Sequence, residues 1–162
     1  MSDQDALTPR VFLVRHGETS WAKSGRFTGT TDIELTEAGI AQVSLMAKTF
    51  VGAGKLIDPY CLTHIFVSPR ARARKTFQLL LPSNSDVFVE KVTYTEDIAE
   101  WNYGDYEGLT DPQIKKLRKT KGLDQERNWD IWTDGCEGGE YDTLVWRCFK
   151  AVADIRKISP GN

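Results

Sequence analysis

Residues 12–21 read FLVRHGETSW, an apolar run that passes straight into Arg15, His16 and Gly17. Val11 to Val14 is continuous and β-compatible, the pattern of a strand buried on both faces. Gly17 then lets the backbone turn and lets a ligand come close. His64 to Val67 (HIFV) is a shorter run of the same kind, and the two predict a pair of parallel core strands. Between them Thr36 caps a predicted helix carrying Ile40, Val43, Leu45, Met46 and Phe50, with Gly52 and Gly54 where it stops.

The same alternation continues downstream. After Ser68-Pro69, RARARKTFQLLL predicts a second helix ended by Pro82, and Val87 to Tyr94 alternates partly like an edge strand. Asp111-Pro112 reads as cap and first turn for Gln113 to Lys119, and a last helix from about Glu140 places Leu144, Cys148, Val152 and Ile155 on one face. Met1 to Pro9 reads as a loose tail before one domain from residue 10 onward. An α/β domain is the expected fold.

Composition narrows the partners. The 21 basic and 23 acidic residues nearly balance, so nothing in the net charge of -2 calls for nucleic acid or an anionic membrane. No apolar run reaches the roughly 20 residues of a membrane span, and the opening MSDQDALTPR is unlike a targeting peptide, so a cytoplasmic location is expected. Cys61, Cys136 and Cys148 are widely spaced without a C-x-x-C pair, which predicts free thiols, no disulfide framework and no zinc site. GAGK at Gly52 to Lys55 lacks P-loop spacing and reads as a helix-ending turn.

Two places gather cations where α/β sheets bind ligands: Arg15-His16-Gly17 after the first predicted strand, and Ser68-Pro69-Arg70-Ala71-Arg72 after the second. Cations at a helix start oppose its dipole unless an anion sits among them, which points to phosphate. A neutral imidazole in such a pocket can attack phosphorus and form a phosphohistidine. Arg15 and Arg72 would hold phosphoryl oxygens, with turn amides and the Thr28 hydroxyl completing the shell. The leaving alkoxide needs a proton from a carboxylic acid. Glu100, in the Gly- and aromatic-rich EDIAEWNYGDYEG, is the candidate, although Glu96, Asp97, Asp105 and Glu107 lie beside it in sequence. Arg74 and Lys75 read as helix surface, His64 as structural, and Lys23, Arg26 and Arg70 as rim contacts for a second phosphate.

These residues together resemble the histidine phosphatases, the phosphoglycerate-mutase-like superfamily. VRHGETSW with FTGTTDIELTEAG is similar to the first signature, SPRARARKT to the second and EWNYGDYEG to the acid-bearing segment; RNWDIWTDGCEGGE and the overall spacing are similar to the fungal sedoheptulose-1,7-bisphosphatases within it. The resemblance implies a three-layer α/β/α sandwich in which His16 is the phosphorylated nucleophile, Arg15 and Arg72 clamp phosphate and Glu100 donates the proton. It also implies that Gly17, Thr28, Gly29 and Tyr103 contact substrate and that no metal or other cofactor is needed. The expected activity is hydrolysis of sugar phosphates, a small-molecule reaction. Ala22 stands where several relatives carry a phosphate-binding asparagine. Family members use a second histidine after a later core strand, whereas His16 and His64 are the only two here, so the domain is expected to be C-terminally incomplete. Two alternatives follow: a catalytically silent phospholigand-binding or interaction protein, and an enzyme of the phosphoglycerate mutase type.

Overall fold

In the computed structural model, described over residues 10–81 and 90–139, two strands form a parallel sheet: β1 (Ile65–Val67) and β2 (Val92–Tyr94), with Ile65 opposite Val92 and Val67 opposite Tyr94. Helix α1 (Ser20–Lys23) is a single turn ahead of α2 (Glu37–Phe50); parallel strands need a long crossover, and α3 (Ala71–Leu80) lies within it, packing on β1 and on α2. The described part is therefore α/β, as expected. The tail before residue 10, the helix beginning near Glu140, and Pro82 fall outside the described residues.

Among the described residues the first expected strand is not formed. Residues 11–14 carry no strand pairing, and Val11, Leu13 and Val14 are 58%, 91% and 55% exposed. An apolar run becomes a buried strand only when neighbours satisfy its amides and cover both faces; among the described residues nothing does so for 11–14. The parallel partner of β1 is β2, the segment expected at the sheet edge.

Helix α2 starts where its sequence says. The Thr36 side chain accepts the Gly39 N–H at 3.0 Å and donates to Glu18 at 2.8 Å, and the helix ends before Gly52 and Gly54. Its buried face is narrower than expected: Val43 and Gly39 are buried, whereas Leu45, Met46 and Phe50 are exposed, because α3 covers one side only. A glycine contact fixes the approach of the preceding chain to this helix. A methyl at Gly17 would lie 2.8 Å from Val43 and 2.9 Å from the Gly39 carbonyl, and one at Gly39 would collide with the Glu18 backbone.

Helix α4 (Asp111–Thr120) is capped one residue earlier than expected from Asp111-Pro112. Thr110 is the cap, and Gln113 Oε1 accepts its N–H at 2.9 Å and its hydroxyl at 3.0 Å; Asp111 already belongs to the first turn. The buried cluster Tyr106, Ile114 and Trp129 gathers Phe27, Tyr103, Leu117 and Ile131 around it. Arg118 ties this cluster to the following loop, donating to both Asp124 oxygens at 2.6 and 2.7 Å and to the Tyr106 hydroxyl at 2.8 Å. These bonds raise the Arg118 guanidinium above its usual range, Asp124 first. The core thus sits beside the segment that carries Glu100.

Candidate active site

The segment holding His16 is gripped from two helices. Gly17 lies on α2 through the contact just described, and its N–H donates to Thr76 Oγ1 of α3 at 3.1 Å. Thr76 in turn donates to the Arg72 carbonyl at 2.8 Å, so one buried hydroxyl joins the histidine segment to the first turn of α3. Nothing in RARARKTF singles out that threonine; a buried hydroxyl with both functions used shows only in the fold.

His16 lines a cleft of about 270 Å³ with Arg15, Thr28, Glu100 and Tyr103, residues separated by up to 88 positions in the chain. Arg26, Phe27 and Ala22 line it too. The ring nitrogen Nδ1 stands 2.8 Å from the Gly17 carbonyl. A carbonyl can only accept, so Nδ1 carries the proton and the neutral ring keeps its lone pair on Nε2. Burial lowers the ring's pKa below the ordinary 6.5, against the Gly17 bond, and Arg72 and Arg15 push it the same way.

Opposite, Glu100 Oε1 accepts the Trp101 N–H at 2.8 Å and the Tyr103 hydroxyl at 3.4 Å. Burial, then the Glu100 charge, lifts the Tyr103 phenol well above its usual range, so it stays a neutral donor. Tyr103 is steadied edge-on against Phe27 at 4.9 Å.

Three expected site residues stand behind the cleft instead of lining it. Arg72 is 2% exposed, and its guanidinium donates to the carbonyls of Thr31 at 3.0 Å, Thr28 at 3.1 Å and Gly29 at 2.9 Å. Burial lowers its pKa from the usual value and Glu100 opposes this. Gly29 is buried, and its N–H points to Glu107, with 2.9 and 3.0 Å to the two carboxylate oxygens. Gly17 serves the contact with α2. Thr28 is on the wall, its hydroxyl donating to the Arg26 carbonyl at 3.1 Å.

The remaining basic residues separate. Arg26 faces the cleft while donating to the Gly108 carbonyl at 2.8 Å; Arg70 pairs with Glu96 at 2.9 Å; Lys23 and Arg74 are exposed, and Lys75 is half-buried. His64 bonds Thr93 at 2.9 Å and stacks near Phe66 at 4.4 Å, between the two strands. A larger cleft of about 350 Å³, around Gly122 to Arg127 and Asp134, contains none of these residues. Missed in sequence were Thr76, Asp32, which accepts the Ala71 N–H at 2.6 Å, and Glu107. Glu107 was visible only as one of several acids near Glu100.

An imidazole, an arginine and a carboxylate thus meet in a cleft beside a β–α crossover of an α/β fold. The chain belongs to the histidine phosphatase superfamily, whose branch 1 model matches residues 11–162. It is 44% identical over 156 residues to sedoheptulose 1,7-bisphosphatase of Saccharomyces cerevisiae, covering 94% of this chain and 58% of that protein. It is 41% identical over 131 residues to an acid phosphatase of Mycobacterium tuberculosis, covering 81% and 55%. The solved structure of an open reading frame product from M. tuberculosis superposes with a TM-score of 0.58 at 32% identity, over 88% of this chain and 64% of that one. The chain spans a little over half the length of these two sequence relatives. No helix among the described residues is long and apolar enough to cross a membrane.

Proposed function

We propose that this chain acts as a metal-independent, cytoplasmic phosphatase of sugar phosphates through a phosphohistidine intermediate, most like a sedoheptulose-1,7-bisphosphatase. The observation that carries the reading is His16: neutral, its Nδ1 proton committed to Gly17, in one cleft with Arg15 and Glu100. Nε2 attacks phosphorus as the bond to the sugar oxygen breaks, and the leaving alkoxide takes the proton of Glu100 in its acid form. Water then attacks the phosphohistidine, Glu100 takes the water's proton, and phosphate leaves with Nε2 restored. Arg15 neutralises the charge on the phosphoryl oxygens and Arg72 adds its field from behind the wall. The yeast relative's name supports a sugar bisphosphate as substrate.

Incubation with sedoheptulose 1,7-bisphosphate followed by quenching tests this. An acid-labile phosphoenzyme is expected; its absence at high protein concentration counts against catalysis. A second reading, a catalytically silent phospholigand binder, is favoured by Arg72, whose terminal nitrogens are engaged with three backbone carbonyls, which leaves Arg15 to hold the ligand. Calorimetry separates the two: binding without turnover supports the silent binder, turnover the enzyme.

A further inference from the structure

The wall segment 28–31 is held on opposite polar sides by opposite charges. Its carbonyls, from Thr28, Gly29 and Thr31, receive the Arg72 guanidinium. Its amides go the other way: Gly29 N–H reaches both Glu107 oxygens, and Thr31 N–H reaches Oε1 at 3.0 Å. Only glycine fits at 29, since a methyl there would collide with the Trp101 carbonyl and lie 3.0 Å from Glu107 Oε2. Glu107 shares one short segment with Glu100 and Tyr103, which line the cleft facing Thr28.

We propose that Glu107 is a positioning residue, which by gripping the amides of Gly29 and Thr31 sets the distance between the Thr28 wall and the Glu100–Tyr103 wall and holds Arg72 in register with the phosphoryl site. Charge-assisted bonds to backbone N–H groups are among the stronger ones, and three converge here on one carboxylate. Neighbouring contacts do not replace it. Phe27 N–H to the Leu109 carbonyl (2.9 Å), Gly108 N–H to Phe27 (2.8 Å) and Arg26 to Gly108 tie the two segments together one step away, so they hold the fold without fixing residues 29 and 31. The inference rests on the cleft being the phosphoryl site.

The test compares wild type, Glu107→Gln, Glu107→Leu and Ile114→Ala, a destabilised control whose apolar side chain makes no hydrogen bond to residues 28–31. Inorganic phosphate is titrated calorimetrically into each full chain, KM and kcat are measured with sedoheptulose 1,7-bisphosphate, and amide exchange is followed at residues 29 and 31. Glu107→Leu should weaken phosphate binding and raise KM about tenfold, with a smaller change in kcat. Glu107→Gln, which keeps one acceptor oxygen, should lose about threefold and show faster exchange at Gly29, and it decides the matter if the leucine variant does not fold. Ile114→Ala should lower the melting temperature and leave phosphate affinity as it was. Phosphate affinity and exchange within twofold of wild type in Glu107→Gln, or an equal loss of affinity in Ile114→Ala, would overturn the inference. A wild type that binds phosphate and hydrolyses nothing removes the proposed function alone, because affinity and exchange still report on the clamp.

Discussion

The His16 ring is desolvated and lies in the field of Arg15 and Arg72, so it gives up its proton at a lower pH than a histidine in water. The acid limb of the kcat/KM profile should therefore have its midpoint below 6.5; an acid-limb midpoint above 6.5 would contradict the neutral nucleophile. Stability follows the same sign. As pH falls the unfolded chain binds this proton first, so the contribution is complete above about pH 6.5 and is lost as pH drops through the folded value. His16→Ala should abolish the acid-labile phosphoenzyme and His64→Ala should leave it, since His64 is occupied with Thr93 and Phe66. Thr76→Val tests the link behind the ring. It strips the Gly17 N–H of its partner in a buried place, and urea unfolding should show a loss of about 1–3 kcal/mol, with Thr76→Ser restoring most of it.

At the scale of elements, α2 positions the histidine segment by lying directly on it. Gly39→Ala would gain about 1 kcal/mol of helix propensity. The added methyl meets the Glu18 backbone, which cannot swing aside as a side chain would, so the clash should prevail. A net loss of about 1–2 kcal/mol in urea is expected, together with weaker phosphate binding; a more stable variant would show that the contact yields. The start of this helix was legible because a cap is local chemistry: Thr36 needs only the amide three residues on. The α4 start was misplaced by one residue for a related reason. Thr110 and Asp111 are both good caps, and only the backbone geometry at Thr110, with Gln113 folded back on it, chose between them.

For the molecule as a whole, the cluster of Tyr106, Ile114 and Trp129 supports the segment bearing Glu100 and Glu107. Ile114 is fully buried, and Ile114→Ala should cost about 2–5 kcal/mol, read as a lower urea midpoint. Its effect on the cleft should be small, because Glu107 and Arg72 hold the wall independently. The site was partly readable. Arg15, His16, Thr28, Glu100 and Tyr103 meet in one cleft, while Arg72, Gly17 and Gly29 stand behind it.

The sequence alone determined what depends on near neighbours: the cap of α2, the α/β alternation and the family to which the three ordered motifs belong. Only the tertiary structure decided which apolar run becomes a strand, since 11–14 and 65–67 look alike until ladder partners are supplied, and β2 supplies them to one alone among the described residues. It likewise decided which of three acids in EWNYGDYEG faces the cleft and which grips the wall. Spacing names the residue types, but the direction of a side chain is set by what packs against its backbone from elsewhere in the chain.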